Sequence, residues 1–272
     1  MRLGNSLMPI IKWTGSKRSQ AKEIVSKFPQ DLGCYYEPFI GGGSIISYLR
    51  PKIAVCSDIC KPLIDLWKVV QDSPDSLLTY YQKEWNRLKA DGHLVFYDVR
   101  NRFNETHSPY DLFFLSRTCV NGLIRFNKNG EFNNSLHHTR RGIQPERLAG
   151  ILVEWQEVVK PVDFCVGDYR KTLARVETGD FVYLDPPYFY TKGRYYGTIN
   201  FSEFLDELNR LNKKKIKYAL SFDGKSTEKD YSVEIPKSLY KRHFLLRSGY
   251  SSFRKVIDKT KNMVEESLYL NY

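Results

Sequence analysis

Apolar residues along the chain follow two rhythms, and the change from one to the other divides it. Near the start, Ile24, Val25 and Phe28 within KRSQAKEIVSKF (17–28) mark one face of a helix. A short strand is predicted over CYYEPF (34–39), followed by a glycine turn at Gly41-Gly42-Gly43 and the apolar run SIISYL. IAVCSD (53–58) reads as a second strand that ends in an acid. From about 61 to 160 the period lengthens. Leu63, Ile64, Trp67 and Val70 have helical spacing, and SPDSLLTYYQKEWNRLKADG (73–92) opens on Ser-Pro and closes at Gly92, the start and stop signals of a helix. A loop rich in Asn, Gly and Arg spans roughly 120–142. Beyond 160 strands return at VDFCVGD (162–168), DFVYLDPP (180–187) and IKYALSF (216–222). The expected fold class is α/β, with residues 1–60 and 161–272 forming one unit and a mostly helical block, 61–160, inserted within it. No internal repeat or low-complexity tract interrupts this plan.

Composition narrows the class. The 272 residues are 42% hydrophobic and 14% aromatic, enough for a packed core, which excludes disorder as the main state. No window approaches 18 consecutive apolar residues, so no membrane span is expected. MRLGNSLMPIIKW lacks the apolar stretch and small-residue cleavage site of a secretory signal, and a cytoplasmic location is expected. Five cysteines (Cys34, Cys56, Cys60, Cys119 and Cys165) without regular spacing fit reduced thiols better than a disulfide framework or a zinc site. The formal net charge is +11, and it is unevenly placed. Residues 186–272 hold 17 Lys and Arg against 10 Asp and Glu, including Lys213-Lys214-Lys215 and Arg254-Lys255, whereas residues 1–185 hold 25 against 21. Such an excess fits nucleic acid as a partner and fits a merely soluble surface equally well.

Two constellations carry chemistry. The first is Glu37-Pro38-Phe39-Ile40-Gly41-Gly42-Gly43-Ser44, between a predicted strand and a predicted helix. Glycines there let the backbone turn sharply and approach a nucleotide-like ligand closely. About twenty residues on, Asp58 ends the next strand, where an acid commonly accepts hydrogen bonds from a ribose. The turn alone fits a tight loop as well as a ligand cradle; Asp58 favours the cradle. It lacks the G-x-G-x-x-G spacing, so a nicotinamide cofactor is not expected. The second is Asp185-Pro186-Pro187-Tyr188 after the apolar run Phe181-Val182-Tyr183-Leu184. A strand ending in an acid and two prolines presents a carboxylate, a rigid carbonyl without a donor of its own, and an aromatic face. That set suits the exocyclic amine of a planar base.

These residues, with Lys12-Trp13-Thr14-Gly15-Ser16-Lys17, Asn121 to Asn127, Gly130-Glu131-Phe132-Asn133 and Asp180 to Tyr188, resemble the Dam-like adenine-N6 DNA methyltransferases. The similarity runs through nearly the whole chain, in the alpha arrangement of amino-methyltransferases. It implies a Rossmann-like class I methyltransferase sheet that binds S-adenosylmethionine, with 61–160 as an inserted target-recognition domain. It implies cofactor contacts from Trp13, Lys17, Glu37, Phe39, Gly41, Asp58, Asp168, Tyr169 and Asp185, and a catalytic set of Asp185, Pro186, Pro187 and Tyr188. DNA contacts are implied for Lys12, Val120, Asn121, Leu123, Arg125, Asn127, Lys128, Ser135, Arg140 and Arg141. Arg125 suits a guanine edge, since its fork donates to O6 and N7 together. Lys128, Arg140 and Arg141 suit phosphates, and His137 and His138 could do likewise. Asn121 and Asn127 could bond a base or hold the loop.

The implied reaction is methyl transfer from S-adenosylmethionine to N6 of an adenine flipped out of double-stranded DNA, within a GA-containing site such as GATC. No leaving-group oxygen or water needs activation, so no metal is expected. Two departures bear on which site is read. Val120 stands where the family commonly has a tyrosine wedge, and Asn134-Ser135-Leu136-His137-His138 replaces a frequent proline and glycine. Methylation of RNA or of a protein glutamine, or a silent DNA-binding module on the same fold, remain as alternatives. A monomer is expected, with a cognate restriction endonuclease as a conceivable partner in a restriction-modification system.

Overall fold

The computed structural model describes residues 7–137, 139, 142–187, 199–222, 225–226, 229–230, 234–248 and 264–272. The strands of its main sheet are β1 Tyr35–Glu37, β2 Ala54–Asp58, β3 Val162–Val166, β4 Phe181–Leu184, β5 Lys217–Phe222, β6 Arg242–Ser248 and β7 Val264–Leu270. They form one sheet in the order β3-β2-β1-β4-β5-β7-β6. Strands β1 to β5 pair in parallel, and β7 runs antiparallel between β5 and β6. The order 3-2-1-4-5 is the doubly wound arrangement, so the α/β, Rossmann-like class I methyltransferase sheet expected from sequence is the one observed. The chain winds outward from β1 in one direction and from β4 in the other. Ligand crevices in such sheets open at the carboxyl ends of the strands where that reversal occurs, here β1 and β4.

Helices are α1 Ala21–Val25, α2 Ser44–Leu49, α3 Lys61–Asp72, α4 Pro74–Ala90, α5 Leu94–Thr106, α6 Pro109–Thr118, α7 Pro145–Val159, α8 Tyr169–Ala174 and α9 Phe201–Lys213. They cover both faces of the sheet. Tyr35, Cys56, Phe164 and Tyr183 join the core on one side, while Tyr36, Val55, Val182 and Leu184 join the core on the other. Because β4 is covered twice, all four of its residues are buried and its sequence is apolar throughout rather than alternating. On the second face, α9 buries Phe204, Leu208 and Leu211 along one stripe. Its start is fixed by the Asn200 side chain, which accepts from the Ser202 and Glu203 backbone N–H groups at 3.0 and 3.3 Å.

Residues 61–160 supply α3 to α7 and the loop that follows α6. Trp67 of α3 stacks on Phe164 of β3, with ring centroids 6.0 Å apart, and meets Trp155 of α7 at 5.1 Å. Helices α4, α5 and α6 pack behind this pair, and one apolar core continues from Phe164 through Trp67 and Leu77 to Phe96 and Phe113. A buried carboxylate, Asp111, is held among these helices by Tyr80 and by the Arg102 guanidinium, whose Nε lies 3.0 Å from Oδ2. The helical block is therefore packed directly on the sheet, and it reaches back to the loops at the sheet's functional edge.

One expected helix is shorter than its pattern. The 17–28 stretch is helical only over Ala21–Val25, because residues 17 to 20 form a separate turn closed by the Gln20 N–H on the Lys17 carbonyl at 2.9 Å. That turn frees Lys17 to leave the helical line. All five cysteines are free thiols, with Cys56, Cys60 and Cys119 buried. Among the described residues, no helix is long and apolar enough to cross a membrane.

Candidate active site

At the carboxyl ends of β1 and β4 the chain leaves an open cavity of about 950 Å³ of empty volume. Five segments bring the expected residues to it. The N-terminal loop brings Trp13 and Lys17; the turn after β1 brings Glu37, Phe39 and Gly41. Asp58 comes from the end of β2, and Asp185, Pro186 and Pro187 follow β4. Asp168 and Tyr169, after β3, complete the wall. All nine residues expected to meet the cofactor thus line one cavity, together with three of the four expected to be catalytic. The fourth, Tyr188, lies outside the described residues.

Gly41 shows why this turn needs glycine. Its φ is +46°, and a Cβ added there would lie 2.6 Å from Cδ1 of Trp13. Its N–H donates to Asp58 Oδ2 at 3.2 Å, and its carbonyl accepts the Trp67 indole N–H at 3.0 Å. The helical block therefore holds the glycine turn through the Trp67 indole, against which Gly43 also packs. Asp58 also accepts the Cys60 N–H on Oδ1 at 3.0 Å, and the Ile59 N–H adds a third backbone donor. Burial pushes Asp58 up to about 6, against the pull of these backbone donors.

Asp185 lies at the cavity floor with Lys17 against it. The Lys17 side chain is only 4% exposed, and its ammonium sits 2.7 Å from Asp185 Oδ1 and 3.7 Å from Glu266 Oε2. Lys17 Nζ also donates to the Gly15 carbonyl at 3.2 Å. Burial raises Asp185 to about 6 despite the ammonium beside it. Glu37 is buried more deeply and accepts the Tyr35 hydroxyl proton at 2.9 Å. Burial, opposed by the Tyr35 hydroxyl and reinforced by the Asp185 charge, holds it well above the usual carboxylate range. Asp168 is occupied locally: it caps α8 through the Arg170 N–H at 2.9 Å and pairs with the Arg170 guanidinium at 2.8 Å. Tyr169 packs against Phe39 at 5.4 Å, and its hydroxyl is buried with no hydrogen-bond partner among the described residues.

A second set of expected residues lies beside this cavity. In the loop after α6, Asn121 is exposed at φ +57° and Gly122 packs so tightly on Lys12 that a Cβ would meet its side chain at 2.5 Å. Thr14 Oγ1 donates to the Ile124 carbonyl at 3.4 Å. The segment carrying Trp13 and Lys17 is thereby tied to the segment carrying Asn121 to Arg125. Arg125 is exposed and oriented by Asn133, whose Oδ1 accepts its Nε–H at 3.0 Å. Of the two roles open to Asn127, its contacts are those of a loop holder: Oδ1 accepts the Asn129 and Glu131 N–H groups at 2.9 and 3.0 Å. Lys128 and Ser135 are exposed on the same loop, and Val120 and Leu123 are half-buried. Sequence reasoning passed over Asn134, whose amide donates to the carbonyls of Val120 and Leu123 at 3.0 and 2.8 Å and so fixes the turn between them. Its signal was the departure noted at that position. Arg140, Arg141 and His138 lie outside the described residues.

Residues 13–255 match the model of the D12 class of N6 adenine-specific DNA methyltransferases. The chain belongs to this class. As a D12-class enzyme it is an adenine-specific DNA methyltransferase, and DNA is its substrate. It is 29% identical to the Type II methyltransferase M.MjaIII of Methanocaldococcus jannaschii, over 97% of this chain and 99% of that protein. It is 32% identical to the DNA adenine methylase of Serratia marcescens, over 65% of this chain and 66% of that one. Class membership implies S-adenosylmethionine as methyl donor, and the cavity fits it: a glycine cradle under Trp13 and a strand-end carboxylate at Asp58 with acceptor capacity left for a further donor. Among the described residues no cluster of His, Cys, Asp and Glu is arranged to hold a metal ion.

Proposed function

We propose that this D12-class methyltransferase transfers the methyl group of S-adenosylmethionine to N6 of an adenine extruded from double-stranded DNA. The observation that carries the proposal is the convergence of the glycine turn, Asp58, Lys17 and Asp185 on one cavity at the point where the strand order reverses. Trp13, Phe39, Gly41, Asp58, Asp168 and Tyr169 would hold the donor, with Asp58 accepting from the ribose hydroxyls. When bound, it supplies a sulfonium methyl already activated for transfer.

The chain's own contribution is alignment and charge. Asp185 Oδ2 and the Pro186 carbonyl accept the two N6 hydrogens, which turns the nitrogen lone pair toward the donor. Asp185 does this only as a carboxylate, and Lys17 favours that form. Pro186 is buried and Pro187 half-buried after a strand covered on both faces, so the carbonyl between them is rigidly placed. Tyr188 provides the face on which the base stacks. Extrusion costs a few kcal/mol in pairing and stacking, and the loop at 120–136 supplies the contacts that offset it.

Residues 61–160 act as the target-recognition region. Arg125, held by Asn133, reads a guanine edge; Lys12 and Lys128, with Arg140 and Arg141, meet phosphates; Val120, Asn121, Leu123 and Ser135 approach the bases from the turn that Asn134 fixes. A GA-containing site such as GATC is the target. Type II methyltransferases among the relatives support a place in a restriction-modification system, and DNA adenine methylases support a solitary role. Replacement Asp185→Ala, assayed with tritiated donor and a duplex containing GATC, is expected to abolish transfer while the melting temperature stays within a few degrees. Turnover near that of the parent enzyme would defeat the assignment.

A further inference from the structure

Glu266 lies 249 positions from Lys17 in the chain, yet its carboxylate is 3.7 Å from the Lys17 ammonium. The topology explains the meeting. Strand β7 runs antiparallel to β5, so its first residues lie at the same edge of the sheet as the carboxyl ends of the parallel strands. Glu266 pairs across with Leu246 of β6, whose carbonyl accepts the Gln20 side-chain amide at 3.3 Å. The turn that bears Lys17 is thus pinned to the β6–β7 hairpin beside Glu266. Both partners are shielded, with side chains 4% and 17% exposed.

One ammonium therefore serves two carboxylates. It makes a hydrogen-bonded contact to Asp185 at 2.7 Å and a longer ion pair to Glu266. The difference matters because a carboxylate accepts an amine hydrogen in proportion to its own basicity, and a cation held on one oxygen lowers that basicity. A second carboxylate on the same cation returns part of it. We propose that Glu266 is a positioning residue for methyl transfer: by sharing the Lys17 ammonium it prevents full neutralisation of Asp185 and keeps that carboxylate able to hold an N6 hydrogen. This rests on the assignment of Asp185 as the group that meets the adenine.

Four groups face Asp185 in this arrangement: Lys17 from the N-terminal turn, Glu266 from β7, Glu37 from β1 and the Tyr183 hydroxyl from β4. Burial pushes Glu37 well above the usual carboxylate range. Tyr183 stays protonated, well above its ordinary range, and shares a 2.8 Å hydrogen bond with Ser221. Removing the Glu266 charge takes one negative charge from beside the Lys17 ammonium, so more of that ammonium's field falls on Asp185. Asp185 then becomes a weaker base, and the acid limb of the rate profile moves to lower pH.

The test compares Glu266→Gln, Glu266→Asp and Asp185→Asn in the full-length enzyme, with kcat and KM measured from pH 5 to 8.5. The parent is expected to lose kcat/KM below about pH 6, where Asp185 takes up a proton. Glu266→Gln is expected to shift that limb downward by about half a pH unit and to lower plateau kcat about five- to tenfold, with KM for donor and DNA within about twofold. Glu266→Asp, which keeps the charge, is expected to restore the parent limb and most of kcat. A limb that does not move in Glu266→Gln, or equal losses in Gln and Asp with the limb unmoved, overturns the proposal. Should Glu266→Gln fold poorly, a Glu266→Asp limb displaced downward would overturn it as well. Asp185→Asn separates the two levels of the argument: if it remains active, the Asp185 assignment fails; if it is inactive while the Glu266 variants behave as the parent, only the role of Glu266 fails.

Discussion

Replacing Gly41 by alanine places a single methyl where the turn, Trp13 and the proposed donor site meet. Two costs follow from its geometry. At φ +46° a residue with a Cβ is strained by about 1–2 kcal/mol. The added Cβ also lies 2.6 Å from Trp13 Cδ1 and 3.1 Å from Nε1, an overlap of the kind that costs about 1–3 kcal/mol when packing must shift. If the fold absorbs both, the melting temperature of a chain this size falls by about 4–10 °C. Trp13 is only half-buried, however, so its ring can swing aside. In that case the melting point falls by about 2–4 °C for the backbone strain alone, and the overlap is transferred to binding as a loss of about 5- to 150-fold in affinity for S-adenosylmethionine. Gly92→Ala is the control. Its φ is +81°, nothing lies within 4 Å of an added Cβ, and it ends a helix remote from the cavity, so about 1 kcal/mol of strain is expected with no change in affinity. Differential scanning fluorimetry and titration calorimetry on the three proteins read both quantities. If Gly41→Ala melts and binds as Gly92→Ala does, Trp13 is not set against this turn in solution and the cradle is misassigned.

Two further outcomes follow from the same geometry. Asp58 is held up to about 6 by burial, and its ionised form is the stronger acceptor for ribose hydroxyls, so donor affinity is expected to fall as pH drops through about 6; Asp58→Asn should weaken binding at pH 8 and flatten that dependence in calorimetry from pH 5 to 8. Arg125→Ala is expected to relax discrimination at one base pair by about 1–3 kcal/mol, while Lys128→Ala should weaken all sequences alike and reduce the salt slope of binding by about 1; fluorescence-anisotropy titrations across salt and single-base variants would show the opposite pattern if these roles are exchanged.

The parts of the site that were legible in the sequence share one property: each is fixed by its immediate neighbours. Asp58 ends a strand, Asp185 follows a strand and precedes two prolines, and Gly41 sits in a run of glycines, so local pattern alone places them at the carboxyl edge of a sheet. Glu266 had no such signal. VEESLYL reads as an ordinary strand with two acids at its start, and only the antiparallel course of β7 carries the second acid to Lys17. The same holds for the hairpin as a whole: β6 buries Leu246, leaves Leu245 exposed and half-buries Phe244, an alternation easily lost among the flanking arginines and the histidine. Helix α9 was legible and passed over, since Asn200 caps it and Phe204, Leu208 and Leu211 recur at helical spacing. At α1 the pattern overstated the helix, because Lys17 answers to the cavity rather than to the apolar stripe.

Charge is where sequence and structure part most widely. The surplus of cations after residue 185 invites assignment to DNA, yet several of them lie at the wrong edge. Lys213 and Lys214 end α9, Lys217 opens β5 and Arg242 opens β6, which runs in the direction of β5. Lys217 and Arg242 both lie over the Tyr272 ring, at 5.9 and 5.0 Å. All of them belong to the amino edge of the sheet, while the cavity opens at the carboxyl edge. A six-residue strand separates the two edges by about 20 Å, more than twice the screening length of about 8 Å at physiological salt. Across that distance these cations contribute little attraction to a duplex docked over Asp185, and Arg254 and Lys255 lie outside the described residues. In the proposed assignment the charge that governs the reaction is small in number and close at hand: one ammonium at Lys17, shared by Asp185 and Glu266. A net charge of +11 pointed toward an anionic partner, but the proposed selectivity and chemistry rest on a loop beside the cavity and on how a single buried cation is shared within it.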